Sequence, residues 1–532
     1  MKKMRITLLA VALAVVTAFS FTGCAVGKVD DSDKTVEVLI YNAGYGIDWF
    51  NKIADDFKAV TDYNVVTKEV ASNDNFESIL RAGGSNTTTD LLIVCDAFGR
   101  YIDFGDKMVS GYEYCLEPLD EVYNHTPEGE SKTIGEKMWK DYRDSYLFDV
   151  EIDGKQEQHY YVAPWASGFS GLMYNKKVYA DAGLSGTPRT TAELLEYADK
   201  VKASGKYAFY YSSDSGYWEY LFNTWWGQYE TLKGVSNFYN AKISDNAIPD
   251  AVSSMGIFDQ KGILESLKAV AACLDPSKGY AESTVEALDY ATVQARFLNG
   301  NGAMMPCGDW LENEMKKISK VDTSNIMPMR TPIISAIADK LSFADENETV
   351  RETNLRDLVD YADGGTKPTY AAENTVDADA AIVSKARRVT YTIGNAHQAV
   401  IPVYATAKVG AKEFLKFMYS DKNLIEYMNR TSGSMLPFDI DYKNAEGYNG
   451  FSDFAKTKLD IMNSSDWMLF APGVYPTSYT GNLNPVHRSS PYEILLGSRD
   501  TSTRTTPEAL IQSTKTYYSS RLEKLLQDSG LL

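Results

Sequence analysis

The stretch TVEVLIYNAGYGIDWFNKIADDF, Thr35 to Phe57, decides how this chain is read. An apolar run from Val36 to Tyr41 meets two glycines spaced G-x-G, Gly44 and Gly46. Trp49, Phe50, Ile53, Ala54 and Phe57 then recur at helical spacing, so the pattern is strand, glycine turn, helix. Dinucleotide-binding units begin this way, but they carry a third glycine. Here Gly46 is followed by Ile47, Asp48 and Trp49. The turn therefore reads as a ligand-facing element rather than a phosphate cradle.

The residues upstream point the same way. Lys2, Lys3 and Arg5 precede an apolar stretch, Ile6 to Phe19, and the small-residue sequence SFTGCA. That is a secretory leader, too short to span a bilayer, which takes about 20 apolar residues. Phe21-Thr22-Gly23-Cys24 is similar to the signal of bacterial lipoproteins, in which cleavage leaves the cysteine as a lipid-bearing N-terminus. Phe21 departs from the Leu commoner at the first position of that signal. The reading is a signal peptide over 1–23, lipidation at Cys24 and a polar tether over 24–34. No later window is long and apolar enough to cross a membrane. The mature chain is expected outside the cytoplasm, anchored to the outer face of the cell membrane, where dinucleotide cofactors are scarce. No cofactor is expected.

Composition narrows the partners. At 532 residues the chain is too long for one core. Its net charge of −19 disfavours nucleic acid and anionic lipid heads. The four histidines (His125, His159, His397, His487) form no H-x-x-x-H or H-x-H pair, and Cys95, Cys115, Cys273 and Cys307 fit no metal spacing. No metal site is expected, and the cysteines read as buried thiols with room for one bridge. The informative excess is 36 Tyr and 8 Trp. Such rings are platforms for the C–H faces of sugars, although buried cores use them too.

Further along, NVVTKEV (64–70) alternates as a strand, NDNFESILRAGG reads as a helix closed by glycines, and TDLLIVCDAFG is a second buried strand. The first ~100 residues thus run β-α-β-α-β, a parallel sheet whose ligands sit at the strand ends. PRTTAELLEYADKVKASG is a capped helix and KYAFYYSS a strand. TVQARFLNGNGAMMPCGDWLENEM reads helix, turn, strand, helix.

APWASGFSGLMYNKKVYADAGLSGTPRTTAELLEYADKV, LEPLDEV, FLNGNGAMMPCGDW and AKEFLKFMYSDKNLIEYM, together with the opening unit, carry a resemblance. The chain resembles a family 1 extracellular solute-binding protein, the sugar-binding lipoprotein of an ATP-binding-cassette importer. The resemblance spans roughly residues 35–440. It implies an α/β, periplasmic-binding-protein-like fold: two α/β lobes joined by a hinge, with ligand in the inter-lobe cleft. Crossings are expected near Trp165–Ser170, Ile326–Thr331 and Thr431–Pro437. The lobes would then be 35–167 and 328–430 for the first, 168–327 and 431–532 for the second. A helical insertion at about 333–390 would fall in the first lobe. The implied function is capture of a carbohydrate, an oligosaccharide, by lobe closure and its delivery to the importer permease, by a monomer and without catalysis.

Within that frame a sugar site needs stacking rings and a few oriented polar groups. The resemblance places Trp310, of Gly308-Asp309-Trp310, against a pyranose ring; otherwise it is a core residue at a helix start. Asp309 either accepts from hydroxyls or caps the following helix. Asn42 and Tyr45 in the first turn, and Asp96 and Phe98 after the third strand, would face it. Trp165 at the first crossing would floor the cleft or pack the crossover. Trp218, Phe222, Trp225 and Tyr229 share a helix face, which suggests core. Tyr217 and Trp218 follow a serine-rich loop and are the likeliest of that cluster to reach ligand. Ser434 lies at the third crossing. Two alternatives stay open: an extracellular glycoside hydrolase, since carboxylate pairing is spatial, and a surface carbohydrate receptor with no transporter.

Overall fold

The computed structural model describes residues 32–42, 44–70, 76–82, 89–95, 114–152, 154–212, 217–318, 322–392, 396–469, 477, 483–487 and 505–532. The leader, Cys24, Asp96 and Phe98 lie outside the described residues.

The opening stretch folds as its pattern dictates. β1 (Thr35–Tyr41) is followed by the helix Asp48–Val60, which buries Trp49, Phe50, Ile53, Ala54 and Phe57, the stripe read from the sequence. Apart from Ala54, each such side chain contributes roughly 1.5–3 kcal/mol of hydrophobic burial before entropy is counted. Phe50 and Phe57 pack on Phe414 at ring distances of 5.2 and 5.4 Å. β2 (Asn64–Val70) and β3 (Leu91–Cys95) flank β1 in parallel, with Val38 opposite both Thr67 and Leu91. A hairpin follows, β4 (Leu147–Ile152) and β5 (Lys155–Tyr160). The short β6 (Ala163–Pro164) then closes the first passage through this lobe.

The second lobe starts at once. β7 (Ser170–Asn175), β8 (Tyr207–Phe209), β9 (Gly302–Gly308) and β10 (Ile326–Met329) form a sheet in the order β10-β7-β9-β8. The helix Thr191–Ala203 between β7 and β8 is capped by Thr190, whose side chain accepts from the Glu193 N–H. β11 (Val389–Thr392) pairs with β13 (Asp466–Leu469), and β12 (His397–Val400) returns to the first lobe, whose sheet runs β2-β1-β3-β12-β6.

The segment 333–390 departs from the expected division. Its helices Glu348–Ala362 and Glu373–Arg388 belong with the second lobe. Arg356 bonds Glu196 of the helix Thr191–Ala203, Arg189 bonds Asp360, and Ile334 N–H donates to Gln228 of the long helix Trp218–Tyr239. β10 also lies in the second sheet, so the chain does not cross near Ile326–Thr331. It crosses between Thr392 and His397. The physical reason is that Thr190 and Ile333 form a β-bridge, which ties the start of the insertion to the second lobe.

The three crossings are stitched together. Ser167 N–H and Oγ both donate to the Met435 carbonyl, and Thr392 Oγ1 donates to the carbonyls of Ser167 and Gly168. Gly168 and Gly433, at φ +63° and +80°, sit in left-handed backbone at two of these crossings. Cys273 and Cys307 are buried free thiols.

Candidate functional site

The two lobes touch directly where the first turn meets the end of β9. Gly44 and Gly46 have φ +69° and +76°, the conformation that lets the chain leave β1 and enter a helix within a few residues. A Cβ on Gly44 would lie 3.1 Å from Trp310 Cβ, so the first-lobe backbone rests against the second-lobe tryptophan. Gly308 serves the same residue from beneath: a Cβ there would fall 2.0 Å from Trp310 Cζ3. Asn313 Nδ2 donates to the Gly44 carbonyl at 2.6 Å, and Tyr45 Oη donates to Asp309 Oδ1 at 2.7 Å. These two bonds close the cleft.

Around them runs an unbroken series of rings. Tyr427 meets Trp49 at 4.8 Å, Trp49 stacks parallel to Trp165 at 6.2 Å, and Trp165 meets His397 at 4.8 Å. Tyr45 contacts Trp165 and His397 at 5.7 Å each and Trp310 at 6.4 Å. Trp310 then meets Tyr217 at 6.0 Å, and Tyr217 meets Tyr290 at 4.9 Å. The belt begins in the first lobe and ends in the second. Trp165 is held in place by its Nε1–H, which donates to the Val94 carbonyl at 2.7 Å.

A polar group lies along this belt. Lys458, fully buried on the helix Asp453–Met462, has its Nζ 3.7 Å from Asp309 Oδ2, an ion pair beyond hydrogen-bond length. The ammonium donates to Ser434 Oγ at 3.1 Å and, more weakly, to the carbonyls of Asp309 and Ser432. Burial pushes the Lys458 ammonium below its ordinary range, and the Asp309 carboxylate pulls it part of the way back. Burial, with Asp309 next, raises the Tyr45 and Tyr427 phenols well above theirs. Both tyrosines therefore stay protonated donors. On the outer side, the helix Asp421–Arg430 and the start of Asp48–Val60 border an open depression of ≈ 350 Å³ lined by Asp48, Glu426, Asn429 and Arg430.

Of the residues singled out by sequence, the structure brings together Tyr45, Trp165, Tyr217, Asp309, Trp310 and Ser434. Two stand apart. Asn42 is exposed and donates to Glu69 at 2.8 Å on the rim of the first sheet, because it directly follows β1 beside the edge strand β2 that carries Glu69. Trp218 is buried inside the second lobe against Phe209 and Tyr211. Sequence reasoning missed Lys458, Tyr427, Asn313 and His397. One signal for Lys458 was present. In DFAKTKLDIM it shares a helical face with Phe454, Ala455, Leu459 and Met462, and a cation on an apolar stripe needs a partner.

Comparison with known proteins establishes the family and the fold. The family model for bacterial extracellular solute-binding proteins matches residues 43–425, and the chain belongs to that family. Its defining role is binding a solute outside the cytoplasm rather than catalysis. A chitin oligosaccharide binding protein shares the fold with a TM-score of 0.57 at 17% identity, over 92% of this chain and 99% of its own. The cyclic alpha-maltosyl-1,6-maltose binding protein from Arthrobacter globiformis aligns at TM-score 0.54 and 17% identity, with 92% and 99% covered. A probable secreted solute-binding lipoprotein from Streptomyces coelicolor gives 0.56 and 13%, again over 92% and 99%. Comparison with curated protein sequences gives no match. Among the described residues no helix is long and apolar enough to cross a membrane.

Proposed function

We propose that this chain is the carbohydrate receptor of an ATP-binding-cassette importer. It captures an oligosaccharide between its lobes and hands it to the permease. The observation that carries this reading is the aromatic belt from Tyr427 to Tyr290, which straddles the two lobes and has the Tyr45–Asp309–Lys458 polar group set along it. Rings supply flat apolar faces for pyranoses, and a buried carboxylate makes strong hydrogen bonds to hydroxyls. Trp310, Tyr45, Trp165, Tyr217, Asp309 and Ser434 are the proposed contact residues. Asp96 and Phe98 remain proposed on the resemblance alone. Ligand that touches both lobes stabilises the closed form, which is the state a permease would select. The family names its members extracellular, and the leader supports export with lipidation at Cys24.

The test is a thermal-shift screen of the mature protein against neutral, acidic and amino oligosaccharides, followed by calorimetry on the hits. A sugar at 100 times its Kd should stabilise the fold by about 2.7 kcal/mol. No shift with any sugar sinks the carbohydrate reading, and steady release of cleaved product would replace the receptor with a hydrolase. Cys24→Ser should move the protein from the membrane to the soluble fraction.

A further inference from the structure

Beside Tyr45 the closed cleft retains polar atoms that its own side chains do not satisfy. Asp309 Oδ2, Tyr427 Oη and Trp49 Nε1 are buried and have no hydrogen-bond partner among the described residues. Such atoms also occur elsewhere in the described structure, Trp218 Nε1 and Gln228 Nε2 among them, but here they cluster around a buried ion pair. The three belong to one neighbourhood. The Trp49 and Tyr427 rings are 4.8 Å apart, Trp49 stacks on Trp165, and Trp165 meets Tyr45, whose Oη donates to Asp309 at 2.7 Å. Lys458 completes the group with an ammonium whose hydrogen bonds are 3.1, 3.4 and 3.5 Å long. The group therefore offers one free acceptor, an O–H and an N–H, and an ammonium with loosely held protons.

Its charge is balanced. Asp309 and Lys458 carry opposite signs 3.7 Å apart, and the next ionisable neighbours, Glu312 and Lys316, pair at 3.1 Å. Resting on the carbohydrate reading above, we infer that Asp309, Lys458 and Tyr427 are the innermost recognition element of the cleft and restrict it to uncharged sugars. A hydroxyl of the inserted ring donates to Asp309 Oδ2 and others accept from Tyr427 and Lys458. A uronate would set a second carboxylate against Asp309. An amino sugar would set a second ammonium against Lys458. In either case the surplus charge is buried without a partner, which discriminates strongly.

Calorimetry on the mature protein tests this. The probes are di- to tetrasaccharides of glucose, galactose, xylose and N-acetylglucosamine, with galacturonate and glucuronate oligomers and chitosan oligomers beside them. Wild type should bind its best neutral probe at least about tenfold tighter than any charged one. A uronate or chitosan oligomer as the tightest ligand overturns the inference while leaving the carbohydrate reading intact. No binding by any probe overturns both. Asp309→Asn should shift the neutral-to-uronate ratio by about tenfold towards the acid, and Lys458→Met should shift the neutral-to-chitosan ratio similarly towards the amine. Ratios that stay within about twofold of wild type overturn the assignment. Should either single variant fail to fold, the charge-free double variant Asp309→Asn/Lys458→Met decides. It should keep the neutral preference with weakened affinity, and wild-type affinity in that variant would show that the pair does not touch the sugar.

Discussion

Two regions of this molecule are rich in aromatic rings, and they differ in whether they lie inside one lobe or run between the two. Along the helix Trp218–Tyr239, Trp225 Nε1–H donates to the Pro332 carbonyl at 3.0 Å and Trp226 Nε1–H to Gln260 Oε1 at 2.8 Å. Those indoles lie inside one lobe, where Trp226 packs on Phe238 and Tyr239. The belt through Trp49, Trp165, Tyr45 and Trp310 instead runs between lobes, and Trp49 Nε1, Tyr427 Oη and Asp309 Oδ2 along it are left without partners among the described residues. Trp218 Nε1 and Gln228 Nε2 on the helix Trp218–Tyr239 also lack partners among the described residues, so an unsatisfied polar atom does not by itself mark a cleft. What sets the belt apart is that it spans the lobes and carries the buried Asp309–Lys458 pair. Aromatic content alone does not separate the two, and Trp218, which belongs to the first region, shows how easily they are confused.

The largest effect should come from breaking the permanent region. Trp225→Ala removes a fully buried indole and should destabilise the protein by about 3–5 kcal/mol in denaturant unfolding. Whatever remains folded should bind sugar normally; a matching loss of affinity would erase the distinction between the regions. Trp310→Ala should do the reverse. Affinity for the best sugar should fall by about 2 kcal/mol or more, roughly thirtyfold, with a smaller change in stability. Unchanged affinity would remove Trp310 from the site.

Gly44→Ala probes the contact between lobes. A methyl at φ +69°, crowding Trp310, costs about 1 kcal/mol or more. Part of that strain is relieved by opening, so small-angle scattering should report a larger radius for the variant and calorimetry a weaker ligand. A subtler case is Tyr427→Phe. Removing a buried hydroxyl that has no partner should leave stability unchanged or raise it by about 1 kcal/mol, while sugar affinity drops about tenfold. Stability and binding moving down together would mean that the hydroxyl has a structural role.

The smallest effect near neutrality is that of pH. The Tyr45, Tyr220 and Tyr427 phenols are raised by burial, so the folded state holds their protons to higher pH than the unfolded chain, whose tyrosines titrate near about 10. Above that pH the unfolded state binds fewer protons and stability falls; below it these groups contribute no slope. Lys458, lowered by burial, acts in the opposite sense, but it is one group against several. Chemical unfolding between pH 7 and 9 should therefore be flat with respect to these tyrosines and decline beyond about pH 10. Both regions should share this behaviour, because it reports burial and not function.

Much of the local structure was legible because local rules govern it. The stripe from Trp49 to Phe57 fixed the buried face of the first helix, and NVVTKEV became β2 over the same residues. Thr190 caps its helix through Glu193, and the glycines of the first turn adopt the left-handed backbone that only they hold cheaply. The Gly-Asp-Trp turn after β9 stood out by its resemblance to a known family and proved to be the point where the lobes meet.

What sequence did not yield was pairing between distant segments. Nothing local says that the helices of 333–390 dock on the second lobe. That depends on Thr190 meeting Ile333 and on Arg356 meeting Glu196, partners brought together by folding. Nor could spacing show that Tyr45 reaches Asp309, or that Lys458, read as one more lysine on a helix, is buried beside that carboxylate. Periodicity reports which face of an element is apolar, since that is set within a few turns of chain. Which faces then meet, and which polar atoms they leave unsatisfied, depends on packing in three dimensions. Sequence thus determined the α/β elements, the glycine turns and the family of this protein. The tertiary structure decided which rings line the cleft and placed a balanced pair of charges beside them.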